Sequence, residues 1–171
     1  MPTTSEKYQT NYSFNKKNES NPIVFIHGVG LTKEIWKPQI EFFKDHNIIT
    51  YDLIGHGKTP ILKTSLNFED FTKQLLNLIK ELEIEKIHLV GFSLGSLIAR
   101  HFAAAHGNNL NSLVLHASIY KRSEDQNRVI QNRFELMKTN RTTSEDRALR
   151  RWFSDKFIKE NKNEYDKIHS M

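Results

Sequence analysis

The sequence predicts an α/β fold, a mostly parallel sheet flanked by helices, followed by a helical segment. Three observations predict it. From residue 23 to residue 116, short apolar runs alternate with stretches of helical period, the pattern of a parallel sheet wrapped by its crossover helices. The segment 86–90, with Ile87, Leu89 and Val90, reads as a buried strand and leads directly into Gly91-Phe92-Ser93-Leu94-Gly95 and then a helical stretch from Ser96 to His106. Beyond Tyr120 the strand signals vanish and amphipathic helical sequence takes over.

Taken in order, Ile23-Val24-Phe25-Ile26 is continuously apolar, as expected of a strand covered on both faces. The loop His27-Gly28-Val29-Gly30 follows it. Residues 34–45 carry Ile35, Ile40 and Phe43 at helical spacing, and Pro38 is tolerable there only near the first turn. Ile48-Ile49-Thr50-Tyr51 is the next strand, ending at Asp52, and residues 52–60 form a glycine-punctuated loop. Asn67 can cap the following helix, with Asp70 in an acidic first turn. Phe68, Phe71, Leu75, Leu78, Ile79 and Leu82 line one face of that helix. Gly107 reads as the stop after the helix that follows Ser93, and Ser112 to His116 as the last strand. Two further helices are expected, Glu124 to Lys138 and Thr143 to Phe157. The expected division is 1–119 for the sheet-bearing part and 120–171 for the helical segment.

A chain of 171 residues can hold one core and at most one domain plus an insertion. Its hydrophobic share of 37% against 26% charged residues excludes a disordered protein. There is no cysteine, so neither a disulfide framework nor a thiolate metal site can form, which fits a reducing compartment. Residues 1–20 are polar, without the apolar run of a secretory signal, and no stretch reaches the length of a membrane span. A cytoplasmic protein with no membrane association is expected. The net charge of +5 is unevenly placed, with seven of eight arginines at or beyond Arg122. A basic tail can serve nucleic acid, but here the signs alternate along helical sequence as on a solvated face, and no nucleic-acid motif is present.

The Gly-x-Ser-x-Gly segment carries the chemistry. A sharp strand-to-helix turn leaves no room for side chains beside its central residue, and the two flanking glycines meet that demand while exposing the Ser93 hydroxyl. The bland alternative is a glycine-rich turn with a helix-capping serine. Together with His27-Gly28 and Asp52…Gly55-His56-Gly57, this order of motifs resembles the α/β-hydrolase fold, over almost all of residues 23–116. The resemblance implies that Ser93 is a nucleophile forming an acyl-enzyme and that backbone N–H groups of Val29 and Leu94 hold the oxyanion. His27, Gly28, Gly30, Gly91 and Gly95 would support that geometry. His27 is read as bracing the loop rather than moving protons. His56, His88, His101 and His106 are read as structural or surface groups, and scattered histidines without ligand spacing give no metal site. No cofactor is implied, and the oligomeric state is not legible.

Residues 150–157, Arg-Arg-Trp-Phe-Ser-Asp-Lys-Phe, resemble a cap motif of 3-oxoadipate enol-lactonase-like enzymes. Arg151 and Trp152 are therefore candidate contacts for a small ester or lactone, the bland alternative being that the aromatics merely anchor the helical segment. In the α/β-hydrolase order the acid and the histidine of the triad follow the nucleophile on later strands. Neither strand is legible here, and His169 has no strand to position it. The expectation is an incomplete hydrolase whose 171-residue form is inactive or severely impaired, with a non-catalytic binding protein or one half of a split enzyme as the alternative.

Overall fold

The computed structural model describes residues 8–61, 65–139 and 149–171. The chain divides into two compact units, Met1–Ser118 and Ile119–Met171.

The first unit is built on a five-stranded sheet of order β1-β3-β2-β4-β5. Its strands are β1 (Tyr12–Asn15), β2 (Ile23–Ile26), β3 (Ile48–Tyr51), β4 (Ile87–Phe92) and β5 (Leu110–His116). β2, β3, β4 and β5 run parallel, in a register that aligns Val24 with Ile49 and Leu89, and Leu89 with Leu113. β1 pairs antiparallel with β3, placing Tyr12 opposite Tyr51. The linear pattern does not reveal β1, whose apolar Tyr12 and Phe14 alternate with polar residues on a half-buried edge.

The helices are α1 (Lys37–Phe42), α2 (Phe68–Glu81) and α3 (Leu94–His106). The helix expected over 34–45 is split: a 3₁₀ turn at Lys33–Trp36 comes first, and Pro38 then sits in the first turn of α1, where its missing N–H costs nothing. α2 starts where the sequence places it, with a reciprocal capping box between Asn67 and Asp70. α3 ends at Gly107 in a right-handed conformation (φ −56°), not the left-handed cap usual for glycine, and a 3₁₀ turn leads on into β5.

One sheet face contributes Val24, Ile26, Ile49, Tyr51, Ile87 and Leu89 to a core closed by Leu75, Leu78 and Ile79 of α2 and by Ile98 and Phe102 of α3. The other face packs Phe25 and Ile48 against Trp36, with ring centroids of Phe25 and Trp36 4.7 Å apart. β5 is different. Leu113, Val114 and Leu115 are 37%, 51% and 38% exposed, so the last strand is an open apolar edge.

The second unit contains α4 (Glu124–Thr139), a helical stretch at 149–152, α5 (Asp155–Glu160) and α6 (Lys162–His169). The single helix expected from 143 to 157 is not continuous over its described part, and residues 143–148 lie outside the described residues. Ser154 takes an extended backbone and its hydroxyl accepts from the Phe157 N–H at 3.2 Å, so the chain restarts as a new helix. α6 is an element the sequence pattern does not announce. Phe153 stacks on Phe157 and meets Tyr165 edge-on, a small apolar cluster local to this unit.

Candidate active site

Ser93 stands between β4 and α3 with φ 54° and ψ −112°, a conformation that a non-glycine residue adopts only under constraint, at a cost of about 1–3 kcal/mol. Its surroundings supply that constraint. The Ser93 N–H donates to the His116 carbonyl at the end of β5, 3.0 Å away. Its own carbonyl accepts from the N–H groups of Ser96 and Leu97 and from the Ser96 hydroxyl at 2.6 Å. The elbow can be this tight because a Cβ on Gly91 would lie 2.3 Å from the Gly95 carbonyl oxygen, and one on Gly95 2.3 Å from that of Ile26. The two glycines thus let β4, α3 and the end of β2 meet backbone to backbone. Leu94 opens α3, so its N–H has no acceptor within the helix, and its partly buried side chain packs against the core.

The loop after β2 lies against this elbow. A Cβ on Gly28 would sit 3.3 Å from Cβ of Ser93 and 3.2 Å from the Phe92 ring. Val29 is 57% exposed, and Gly30 turns the chain at φ 72°. His27 is fully buried beneath the loop. Its Nδ1 donates to the Gly28 carbonyl at 2.8 Å, and its Nε2 accepts from the Leu53 N–H at 3.0 Å. These two partners select one neutral tautomer. Burial is the main cause that lowers its pKa from 6.5 to about 4, with nearby His56 acting in the same direction. The buried imidazole, with both nitrogens engaged, ties the loop after β2 to the segment after β3.

This link reaches into a polar network that the sequence does not reveal. The buried Asp52 carboxylate accepts from the N–H groups of Lys33 (2.8 Å) and Lys58 (3.0 Å). Gln74, buried on α2, accepts from the Ile54 N–H and donates to the Asp52 carbonyl and the Thr10 hydroxyl. Thr59 donates to that same carbonyl and accepts from the Asn11 N–H. The Asp52-to-Thr59 turn is thereby tied to the loop after β2, to α2 and to the segment before β1. Ser96 and Gln74 are the two residues that sequence reasoning overlooks. The one hint is that Ser96 interrupts an apolar stretch and that Gln74 falls between Phe71 and Leu78 on the apolar face of its helix.

Other predicted positions are dispersed. His88 pairs with Ser112 on the neighbouring strand, His101 with Thr72, and the His116 ring stacks on Phe92. Among the described residues no histidine ring is hydrogen-bonded to the Ser93 hydroxyl. In the second unit Trp152 is 49% exposed and Arg151 is exposed, while the adjacent Arg150 lies 3.6 Å from the Asp155 carboxylate. Among the described residues there is no cluster of three or more metal-ligating side chains and no helix long and apolar enough to cross a membrane.

The sequence pattern of the alpha/beta hydrolase fold matches residues 21–161. The chain belongs to that family. Among its relatives is the (E)-2-((N-methylformamido)methylene)succinate hydrolase of Acinetobacter baylyi, 30% identical over 154 residues, covering 90% of this chain and 58% of that protein. The 3-oxoadipate enol-lactonase 1 of the same species is 27% identical over 166 residues, 95% of this chain and 61% of that protein. The crystal structure of the enol-lactonase from Burkholderia xenovorans LB400 superposes with a TM-score of 0.85 at 22% identity, covering 94% of this chain and 63% of that one, a likeness of fold. The chain thus spans about 60% of the length of these alpha/beta hydrolase relatives.

Proposed function

We propose that this chain carries the nucleophile and oxyanion donors of a serine hydrolase acting on a small carboxylic ester or lactone. The observation that carries the reading is the backbone of Ser93: a strained residue at a strand-to-helix junction, held by four hydrogen bonds, has no purpose in packing. In the proposed reaction the Ser93 oxygen attacks the acyl carbon and its proton passes to a base. The carbonyl oxygen becomes an oxyanion held by the N–H groups of Val29 and Leu94, backed by the positive end of α3. The C–O bond to the leaving alkoxide breaks, the alkoxide takes up the proton, and water then releases the acid and restores the hydroxyl.

The share of the relatives that the chain covers supports placing the triad acid and base in polypeptide beyond these 171 residues. We read 120–171 as a cap segment, with the exposed Arg151 and Trp152 as candidate contacts for a substrate carboxylate and its apolar part. The names of the two relatives, one a succinate hydrolase and one an oxoadipate enol-lactonase, favour a carboxylate-bearing substrate. The test is hydrolysis of small lactones and esters by the native protein and by Ser93→Ala. Loss of at least a thousandfold in the variant supports the reading; unchanged turnover sinks it.

The open edge of β5 favours a second reading, in which the chain pairs with another polypeptide as half of a split enzyme or as a non-catalytic binding unit. That reading requires the isolated chain to be soluble, and its ligand binding to be indifferent to Ser93→Ala.

A further inference from the structure

The two N–H groups assigned to the oxyanion belong to peptide units whose other ends are each gripped by a buried side chain. A trans peptide is planar, and its C=O and N–H point in opposite directions. Whatever holds the carbonyl therefore sets the direction of the N–H. The Gly28–Val29 unit is held through the Gly28 carbonyl by His27 Nδ1 at 2.8 Å, with a longer 3.3 Å bond from the Leu31 N–H. The Ser93–Leu94 unit is held through the Ser93 carbonyl by Ser96 Oγ at 2.6 Å, with backbone bonds at 3.0 and 3.4 Å from Ser96 and Leu97. Both Ser96 and His27 are fully buried. The N–H groups of Val29 and Leu94 find no acceptor among the described residues.

We infer that Ser96 and His27 are a matched pair of positioning residues, each aiming one oxyanion donor by clamping the carbonyl of the same peptide unit. The inference rests on the proposed role of Ser93 and its two donors. Neither side chain touches the substrate. Ser96 also steadies the nucleophile itself, because its bond to the Ser93 carbonyl restrains ψ of a residue at φ 54°, which backbone helix bonds alone hold less firmly. His27, with one nitrogen donating and the other accepting from the Leu53 N–H, passes the rigidity of the Asp52 turn to the loop.

The test follows the phosphonylation of Ser93 by a fluorophosphonate, using intact mass and the native protein, in which the proposed function places the base. The Ser93 oxygen bonds to phosphorus, fluoride leaves, and the hydroxyl proton passes to the base, so the adduct's phosphoryl oxygen occupies the oxyanion position. Ser96→Ala is expected to lower the limiting rate about tenfold, a partial loss beside the hundredfold or more typical of deleting a donor. The half-saturating reagent concentration and the melting temperature should stay close to those of the parent. An unchanged limiting rate overturns the inference. So does a fall matched by an equal change in half-saturation or by a large drop in melting temperature, because that is loss of fold. His27→Gln keeps a donor and an acceptor and should lose less than His27→Phe; equal losses overturn the His27 half. Ser93→Ala separates failure of the clamps from failure of the nucleophile. An adduct that persists in that variant, or a native protein that never labels, refutes the nucleophile reading itself.

Discussion

Replacing Gly95 by alanine should destabilise the fold although it places a better helix former in a helix. A Cβ at this position would lie 2.3 Å from the carbonyl oxygen of Ile26, 2.8 Å from its carbon and 2.7 Å from the oxygen of His27. All three are backbone atoms of β2 and the loop after it, so no side chain can swing aside. α3 must retreat by roughly 1 Å to restore ordinary contact, and overpacking of this kind costs about 1–3 kcal/mol. The intrinsic gain of alanine over glycine in a helix is at most about 1 kcal/mol, and the residue is only the second of α3. The net expectation is a loss of roughly 2 kcal/mol. Gly107 is the internal control. It ends the same helix at φ −56°, and a Cβ there meets nothing within 4 Å, so Gly107→Ala should add about 0.5 kcal/mol by stiffening the unfolded chain. Urea denaturation followed by circular dichroism gives both values from the midpoints at constant slope. A Gly95→Ala protein as stable as the parent would refute the close packing, and with it the claim that this glycine sets the elbow against the loop.

Three further outcomes are expected. Ser93→Gly should raise stability by about 1 kcal/mol, because glycine accepts φ 54° without strain, while abolishing covalent labelling; a less stable variant would mean the backbone is not strained. The lowered pKa of His27 makes stability pH-dependent. The unfolded chain takes up its proton near 6.5 and the folded chain only near 4, so stability falls as pH drops through that window, by about 3 kcal/mol in all, and levels off below it. His27→Gln should flatten this slope in denaturation midpoints measured across the window, and an equally steep slope in the variant would contradict the assignment. Tyr51→Phe should be neutral or stabilising by about 1 kcal/mol, since its buried hydroxyl has no partner among the described residues; a loss above that value would reveal a partner.

The strands Ile23–Ile26 and Ile48–Tyr51, the capping box at Asn67 and Asp70, and the elbow around Ser93 are legible along the chain because each is written within a few neighbouring residues. Apolar runs, caps and glycine spacing act over one or two turns, the same range over which a linear pattern can be read. β1 is not legible, since Tyr12-Ser13-Phe14-Asn15 becomes a strand only by pairing with β3, more than thirty residues away. Nor is the break at Ser154, where one hydroxyl outweighs a continuous amphipathic pattern. Local sequence determined the class of fold and the identity of the candidate reactive serine. Tertiary structure decided what holds that serine and its loop: His116 against Ser93, His27 against Leu53, and Gln74 against Asp52. These hydrogen bonds join residues 20 or more positions apart, and each forms only where buried backbone groups, cut off from water, must find a partner brought close by the packing of the sheet.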